Sequence, residues 1–455
     1  MSRLIVVSNR VASITEGKSS AGGLVVGVLD ALRETGGIWL GWSGTLEPKL
    51  KLNPFSERHE NIEFLTVPLT KRDYDRYYRG FSNGVLWPTF HYRIDLSLYT
   101  RIDYMGYLEV NRKFAQILAS TVEEDDHIWV HDYHLIPLGK ACRDLGIQNK
   151  TGFFLHIPFP SPSVLRTIPP HRELVESMCA YDLLGFQTDN DVQAFLDYAA
   201  RCLGATVTGN VVQLGDRITR VGAYPIGIHP EQVKSLSKES VHTKPLATLK
   251  AGLLDRKLIV SVDRLDYSKG LVERFNAFEQ LLETSPQYRG KVTFVQIAPP
   301  SRQDVQGYRQ IRRQLESTAG RINGKWTELS WTPIRYMNRS YDRGLLMAIF
   351  RTSQVGLVTP LRDGMNLVAK EYIASQPAHD PGVLVLSEFA GAAAEMRNGA
   401  VMVNPYDLQG MADGLHRALS MPLEERKSRY EHLMAVLKQN DLSTWRDRFL
   451  SDLAA

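Results

Sequence analysis

Short, uninterrupted apolar runs recur along this chain, each ended by a polar cluster, and they restrict its fold more than any other feature. Leu4–Ser8 ends in Asn9-Arg10, Ile128–Val130 in His131-Asp132-Tyr133-His134, and Gly152–Leu155 in His156. Leu183–Phe186 ends in Gln187-Thr188, and Val292–Ile297 runs on to Pro299-Pro300-Ser301-Arg302. Leu258–Val262 ends in Asp263-Arg264-Leu265-Asp266, with Lys269-Gly270 just beyond. Strands that are apolar on both faces belong to parallel sheets covered by helices. In open sheets of that kind ligands bind beyond the C-terminal strand ends. One polar residue at such a position says little, but the repetition points to a binding edge.

A chain of 455 residues exceeds what one hydrophobic core accommodates. A polar stretch, Glu231 to Lys250, separates two strand–helix series, the second starting at Lys257. The expected fold is therefore α/β, two Rossmann-like parallel-sheet domains facing each other across a cleft. The first spans residues 1–235 and the second 236–435, with a C-terminal helix at about 436–455 packing back on the first. Trp445 and Phe449 are available to dock that helix.

Within the second series, residues 355–372 read VGLVTPLRDGMNLVAKEY. Val355–Val358 is a buried-strand run that Pro360 ends, because proline cannot donate to a sheet ladder. A polar loop, Leu361 to Asn366, leads into helix-forming residues from Leu367. Such a joint presents free amides, here Leu367 and Val368, and a helix dipole to an anion. Glu371 lies one turn in, where a carboxylate can accept from sugar hydroxyls. Taken alone, the stretch is equally an ordinary strand–loop–helix joint.

Composition excludes several classes. Hydrophobic residues make up 43% and charged residues 23%, as in soluble globular proteins. A net charge of +4 without dense Lys/Arg runs suits phosphorylated small molecules better than nucleic acid. No apolar run reaches the roughly 18–20 residues of a membrane span, and the apolar part of MSRLIVVSNR is too short for a signal peptide. Three cysteines, Cys142, Cys179 and Cys202, without metal-type spacing fit a reducing, cytoplasmic setting. His131 and His134 lack a third metal ligand, and neither a Walker loop nor a G-x-S-x-G elbow is present. The Gly22-Gly23 turn before an apolar helix lacks the dinucleotide glycine pattern. Tyr77-Tyr78 and Leu86-Trp87-Pro88 supply aromatic surface in a loop-rich region, and such aromatics are more often core than site.

The remaining polar set is cationic and hydroxyl-binding. Arg264 and Lys269, five apart across a strand-to-helix loop, can neutralise a diphosphate leaving group. Arg10 and Arg302 can grip a second phosphate, and Asp132, His156, Asp363 and Glu371 suit hydroxyls. Two anion sites with several hydroxyl acceptors point to glycosyl transfer from a nucleotide sugar to a phosphorylated acceptor.

The same residues carry a family resemblance. SNR, AGGL, FSNGVLWPTFHYR, IWVHDYHLIP, FFLHIPFPSP, DLLGFQT, YPIGI, VDRLDYSKGL, QIAPPSR, GRINGK, VGLVTPLRDGMNLVAKEY and VLSEFAGAA resemble the bacterial trehalose-6-phosphate synthases, retaining glycosyltransferases of family 20. These motifs run from residue 8 to about 394, nearly the whole chain. The resemblance implies a GT-B fold and transfer of glucose from UDP-glucose to glucose 6-phosphate, giving α,α-trehalose 6-phosphate and UDP. It implies front-face transfer without a protein nucleophile, without a metal or other cofactor, in cytoplasmic trehalose biosynthesis under osmotic stress. Arg10, Tyr78, Trp87, Asp132, Gln187 and Arg302 are then expected at glucose 6-phosphate. Gly22, Gly23, His156, Arg264, Lys269, Asp363, Asn366, Leu367, Val368 and Glu371 are expected at UDP-glucose. Asp132, His156, Arg264, Lys269 and Asp363 are the expected catalytic groups. Relatives suggest a dimer or tetramer. Rivals are a same-fold synthase coupling a different pair of substrates and a sensor that binds nucleotide sugars without turnover.

Overall fold

The computed structural model describes residues 3–11, 23–49, 54–302 and 305–455. Two compact units divide the chain. Residues 1–225 and 443–455 form the first, and residues 226–442 the second. The division thus falls before the helix Pro230–Glu239, not after its start. Ser237 Oγ of that helix donates to Ser375 O, and the buried Lys370 ammonium donates to Ile226 O, both bonds inside the second unit. Helix Leu423–Gln439 also stays in the second unit, so Leu442–Ala454 is the helix that returns to the first.

The first unit holds β1 (Leu4–Arg10), β2 (Gly37–Leu46), β3 (Phe55–His59), β4 (Ile62–Leu69), β5 (His127–His131), β6 (Thr151–Phe154), β7 (Leu183–Phe186), β8 (Thr206–Thr208), β9 (Val211–Leu214) and β10 (Arg217–Ala223). They lie side by side in the order β3-β4-β2-β1-β5-β6-β7-β10-β9-β8. From β4 to β10 every pairing is parallel, and antiparallel β3 and the β9-β8 hairpin close the two sides. The central strands are buried throughout except at their polar ends, as their sequences require.

Trp445 and Phe449 of the returning helix lie against this sheet, with Phe449 stacked on Trp129 at 5.0 Å. Two glycines make the room. A Cβ on Gly152 would sit 2.8 Å from the Phe449 ring, and one on Gly185 2.7 Å from it. Burying these two aromatics contributes roughly 2–3 kcal/mol each.

The loop-rich reading of the aromatic region gives way to helix. Tyr74–Leu86 is a wide helix, in which the Trp87 amide reaches back five residues to Ser82 O, and it continues as Trp87–Phe90. Gly80 and Gly84 lie within this helix. A Cβ on Gly80 would meet the Asp103 carboxylate at 2.6 Å, so this glycine serves close helix packing.

The second unit has six strands, β11 (Lys257–Val262), β12 (Val292–Ile297), β13 (Ile334–Met337), β14 (Val355–Val358), β15 (Val383–Ser387) and β16 (Val401–Val403). All pairings in the order β13-β12-β11-β14-β15-β16 are parallel. The polar clusters after β12, β11 and β14 are therefore side by side at one edge. No helix among the described residues is long and apolar enough to cross a membrane.

Candidate active site

In the first unit, neighbouring strands β1, β5, β6 and β7 deliver Arg10, His131-Asp132, His156 and Gln187 to one sheet edge. Arg10 is exposed. Its guanidinium lies over Gly44, where a Cβ would come within 2.9 Å of Nε. Gln187 is buried, and Trp87 is packed between His91 and Tyr133 with 4% of its surface exposed. Tyr78 stacks flat on His134, centroids 5.7 Å apart. Gly22 lies outside the described residues, and Gly23 opens the helix Gly23–Thr35 after β1.

Asp132 has φ 76 and ψ 165, a conformation nearly confined to glycine and costing about 1–3 kcal/mol. The Asp132 amide donates to Phe154 O at 2.8 Å, and its Oδ1 accepts from the His156 amide at 3.2 Å. These bonds hold the strained residue in place. No residue pattern announces this strain, since an aspartate after a strand is commonplace.

Behind His156 lies His131, its Nδ1 3.1 Å from His156 Nε2. Burial holds the His131 ring well below the usual imidazole value, with His156 adding to the effect. Burial also pushes His156 down to about 3. Both rings are thus neutral at physiological pH. The unfolded chain takes up these protons near the ordinary value of 6.5, so the stability is complete above that value. It is lost as pH falls through 6.5 toward 3. Between about pH 7.5 and about pH 5.5, His156 alone is expected to cost about 1 kcal/mol. Urea unfolding at the two pH values measures this, and the loss should shrink by that amount in His156→Asn.

In the second unit, Arg264 is exposed at the end of β11, and Lys269 is buried one short turn later. The Lys269 ammonium is ion-paired with Asp363 rather than open to solvent. Asn366 donates to the same Asp363 carboxylate at 3.0 Å. Gly270 adopts φ 65, and a Cβ there would sit 2.3 Å from Thr359 O, so the β11 and β14 loops touch backbone to backbone. Asn366 is left-handed at φ 73, and helix Leu367–Ser375 starts directly after it. The amides of Leu367 and Val368 fall in the first turn, where a helix offers them no acceptor of its own.

Glu371 meets Arg343 at 2.9 Å. Burial raises the Glu371 carboxyl above its ordinary value, and Arg343 opposes that shift. Arg343 has no motif around it. Asp342 caps its helix by accepting from the Leu345 amide at 2.8 Å, which sets Arg343 in the first turn. Sequence reasoning missed Arg343 for that reason, and it set His131 aside with the metal reading. Among the described residues no group of three His, Cys, Asp or Glu side chains is arranged to hold a metal ion.

The family model described as glycosyltransferase family 20 matches residues 3–455. The chain belongs to glycosyltransferase family 20. The family member from Sodalis glossinidius, named trehalose-6-phosphate synthase, is 52% identical over 460 residues, covering all of this chain and 96% of the relative. Among solved family structures, the α,α-trehalose-phosphate synthase (UDP-forming) from Burkholderia vietnamiensis is 57% identical with a TM-score of 0.98, covering 100% and 97% of the two chains. The UDP-forming synthase from Burkholderia xenovorans in complex with glucose-6-phosphate is 56% identical with a TM-score of 0.95, covering both chains fully. The two parallel-sheet units are thus those of the family's GT-B fold.

Proposed function

We propose that this family 20 enzyme transfers glucose from UDP-glucose to glucose 6-phosphate, with retention, releasing α,α-trehalose 6-phosphate and UDP. The observation that carries the reading is the edge of the second sheet. Arg264, Lys269 and the first turn of helix Leu367–Ser375 come from adjacent strand ends. Cations and helix amides on one edge match a departing diphosphate. The Burkholderia xenovorans relative bound to glucose 6-phosphate supports the acceptor, and the UDP-forming relative supports the nucleotide.

On the donor side, Arg264 and Lys269 neutralise the diphosphate, Leu367 and Val368 donate backbone amides to it, and Glu371 accepts from ribose hydroxyls. Asp363, Asn366 and His156 take the glucose hydroxyls, and Gly22 and Gly23 serve the nucleotide sugar. On the acceptor side, Arg10 and Arg302 hold the phosphate, while Tyr78, Trp87, Asp132 and Gln187 shape the sugar site. No side chain attacks the anomeric carbon. The acceptor hydroxyl enters on the face from which UDP departs, and the leaving phosphate takes its proton. The donor-side carboxylates suit this reading, since Asp363 is committed to Lys269 and Asn366, and Glu371 to Arg343. Rate then comes from positioning and from charge set against the leaving group, without a metal. The free thiols of Cys142, Cys179 and Cys202 fit a cytoplasmic enzyme.

A donor-by-acceptor panel tests this, following nucleotide release and sugar product by mass spectrometry. UDP-, GDP- and ADP-glucose are each paired with glucose 6-phosphate, glucose and glycerol 3-phosphate. A disaccharide monophosphate formed only with glucose 6-phosphate is expected. Product with glycerol 3-phosphate instead would move the chain to a same-fold synthase, and binding without turnover would make it a sensor. In the same assay Arg302→Ala and Arg10→Ala should each raise KM for glucose 6-phosphate by about 10–100-fold. KM for UDP-glucose should stay nearly constant, and equal losses for both substrates would contradict separate phosphate sites.

A further inference from the structure

Arg302 stands in a backbone conformation that side chains rarely adopt, at φ 45. Such a residue persists only where its surroundings over-determine it. Its surroundings include two groups that the motifs did not single out for a role, Tyr308 and Asp266. Arg302 Nη1 donates to the Tyr308 hydroxyl at 2.6 Å, and that hydroxyl donates to Asp266 Oδ2 at 2.7 Å. The guanidinium also lies 5.7 Å from the centre of the Tyr308 ring. Its direct approach to Asp266 is only 3.7 Å, so the hydroxyl carries the link between cation and carboxylate. Tyr308 and Asp266 are both buried, and Tyr308 is braced edge-on by Tyr267 at 5.2 Å.

Asp266 has a second attachment. Its Oδ1 accepts from the Ser268 amide and from Ser268 Oγ, each at 2.9 Å, which caps the single turn Tyr267–Lys269. Ser268 O in turn accepts from the Leu361 amide at 2.8 Å, tying in the loop that carries Asp363. One buried carboxylate therefore anchors Arg302 through one oxygen and the Lys269 turn through the other.

We propose that Tyr308 and Asp266 are positioning residues with divided duties. Tyr308 aims Arg302 at the acceptor phosphate, and Asp266 aims both Arg302 and the donor-side Lys269 turn. This deepens the proposed function and rests on it for the roles of Arg302 and Lys269.

The split between substrates tests it. Tyr308→Phe keeps the ring and removes the hydroxyl, and it should raise KM for glucose 6-phosphate about tenfold. KM for UDP-glucose should change less than about twofold, because the Ser268 bonds to Asp266 survive. Asp266→Asn, checked for an intact fold by circular dichroism, should raise both KM values and lower kcat. Should Asp266→Asn fail to fold, Tyr308→Phe still decides. A Tyr308→Phe enzyme with both KM values raised equally, or neither, overturns the proposal. So does an Asp266→Asn enzyme altered for one substrate alone. Arg302→Ala separates the two levels. If it leaves KM for glucose 6-phosphate unchanged, the acceptor assignment is wrong. If it raises that KM while Tyr308→Phe does not, only the positioning role fails.

Discussion

Arg264→Ala is expected to lower turnover by about 10²–10³-fold, the scale of losing one charge-stabilising donor in a transition state. The loop that presents Arg264 is held by bonds that the substitution leaves alone. The Asp263 amide donates to Ile297 O at 3.1 Å and the Leu265 amide to Pro299 O at 2.8 Å. The buried Arg274 also pairs with Asp263 at 2.8 Å. With the backbone fixed this way, the loop keeps its course when the exposed cation is removed. Steady-state UDP release measures the loss, and calorimetry with UDP separates affinity from rate. Arg264→Lys should recover part of the rate, since an ammonium keeps the charge without the planar fork. Unchanged turnover in the alanine variant would remove Arg264 from the leaving-group role.

Gly391→Ala is expected to damage the donor site from outside it. A Cβ on Gly391 would lie 1.7 Å from Gly364 O and 2.6 Å from its carbonyl carbon. Both are backbone atoms, so the Asp363–Asn366 loop must move. The Gly391 amide also donates to Asp363 O, and the Ala392 amide to Met365 O. This turn is therefore the brace of that loop. Overpacking of this kind costs about 1–3 kcal/mol, a melting shift of a few °C in units of this size. KM for UDP-glucose should rise about tenfold or more, because Asp363 and Asn366 travel with the loop. Gly320→Ala is the control. Nothing lies within 4 Å of a Cβ there, and in helix Gln306–Trp326 alanine should stabilise by about 0.5–1 kcal/mol. Equal melting temperatures and donor KM values for Gly391→Ala and the unaltered protein would contradict the bracing role.

Much of the scaffold was readable before any coordinates. The runs at Leu4, Ile128, Leu183, Leu258, Val292 and Val355 are strands because a both-face-buried strand leaves continuous apolar sequence. The helix starting at Leu367 was placed by proline, loop and helix composition together. Strands at the sides of the first sheet escaped notice. β3 is exposed throughout and β8 nearly so, so neither carries an apolar run. Gly209-Asn210, between β8 and β9, was a usable turn signal. The wide helix Tyr74–Leu86 contains two glycines, of which Gly80 serves packing rather than turning.

By itself the sequence determined the two α/β units and which polar residues stand at strand ends, because both depend on patterns a few residues long. Only the tertiary structure decided how the charges are committed. Lys269 pairs with Asp363 across 94 residues, Glu371 with Arg343 across 28, and Tyr308 joins Asp266 across 42. The left-handed backbones at Asp132, Arg302 and Asn366 belong to the same category. Local periodicity carries no information about such pairs. They follow from the order of strands in the sheet, which brings distant loops to one edge, and from the burial there that leaves a charge no partner but another loop's.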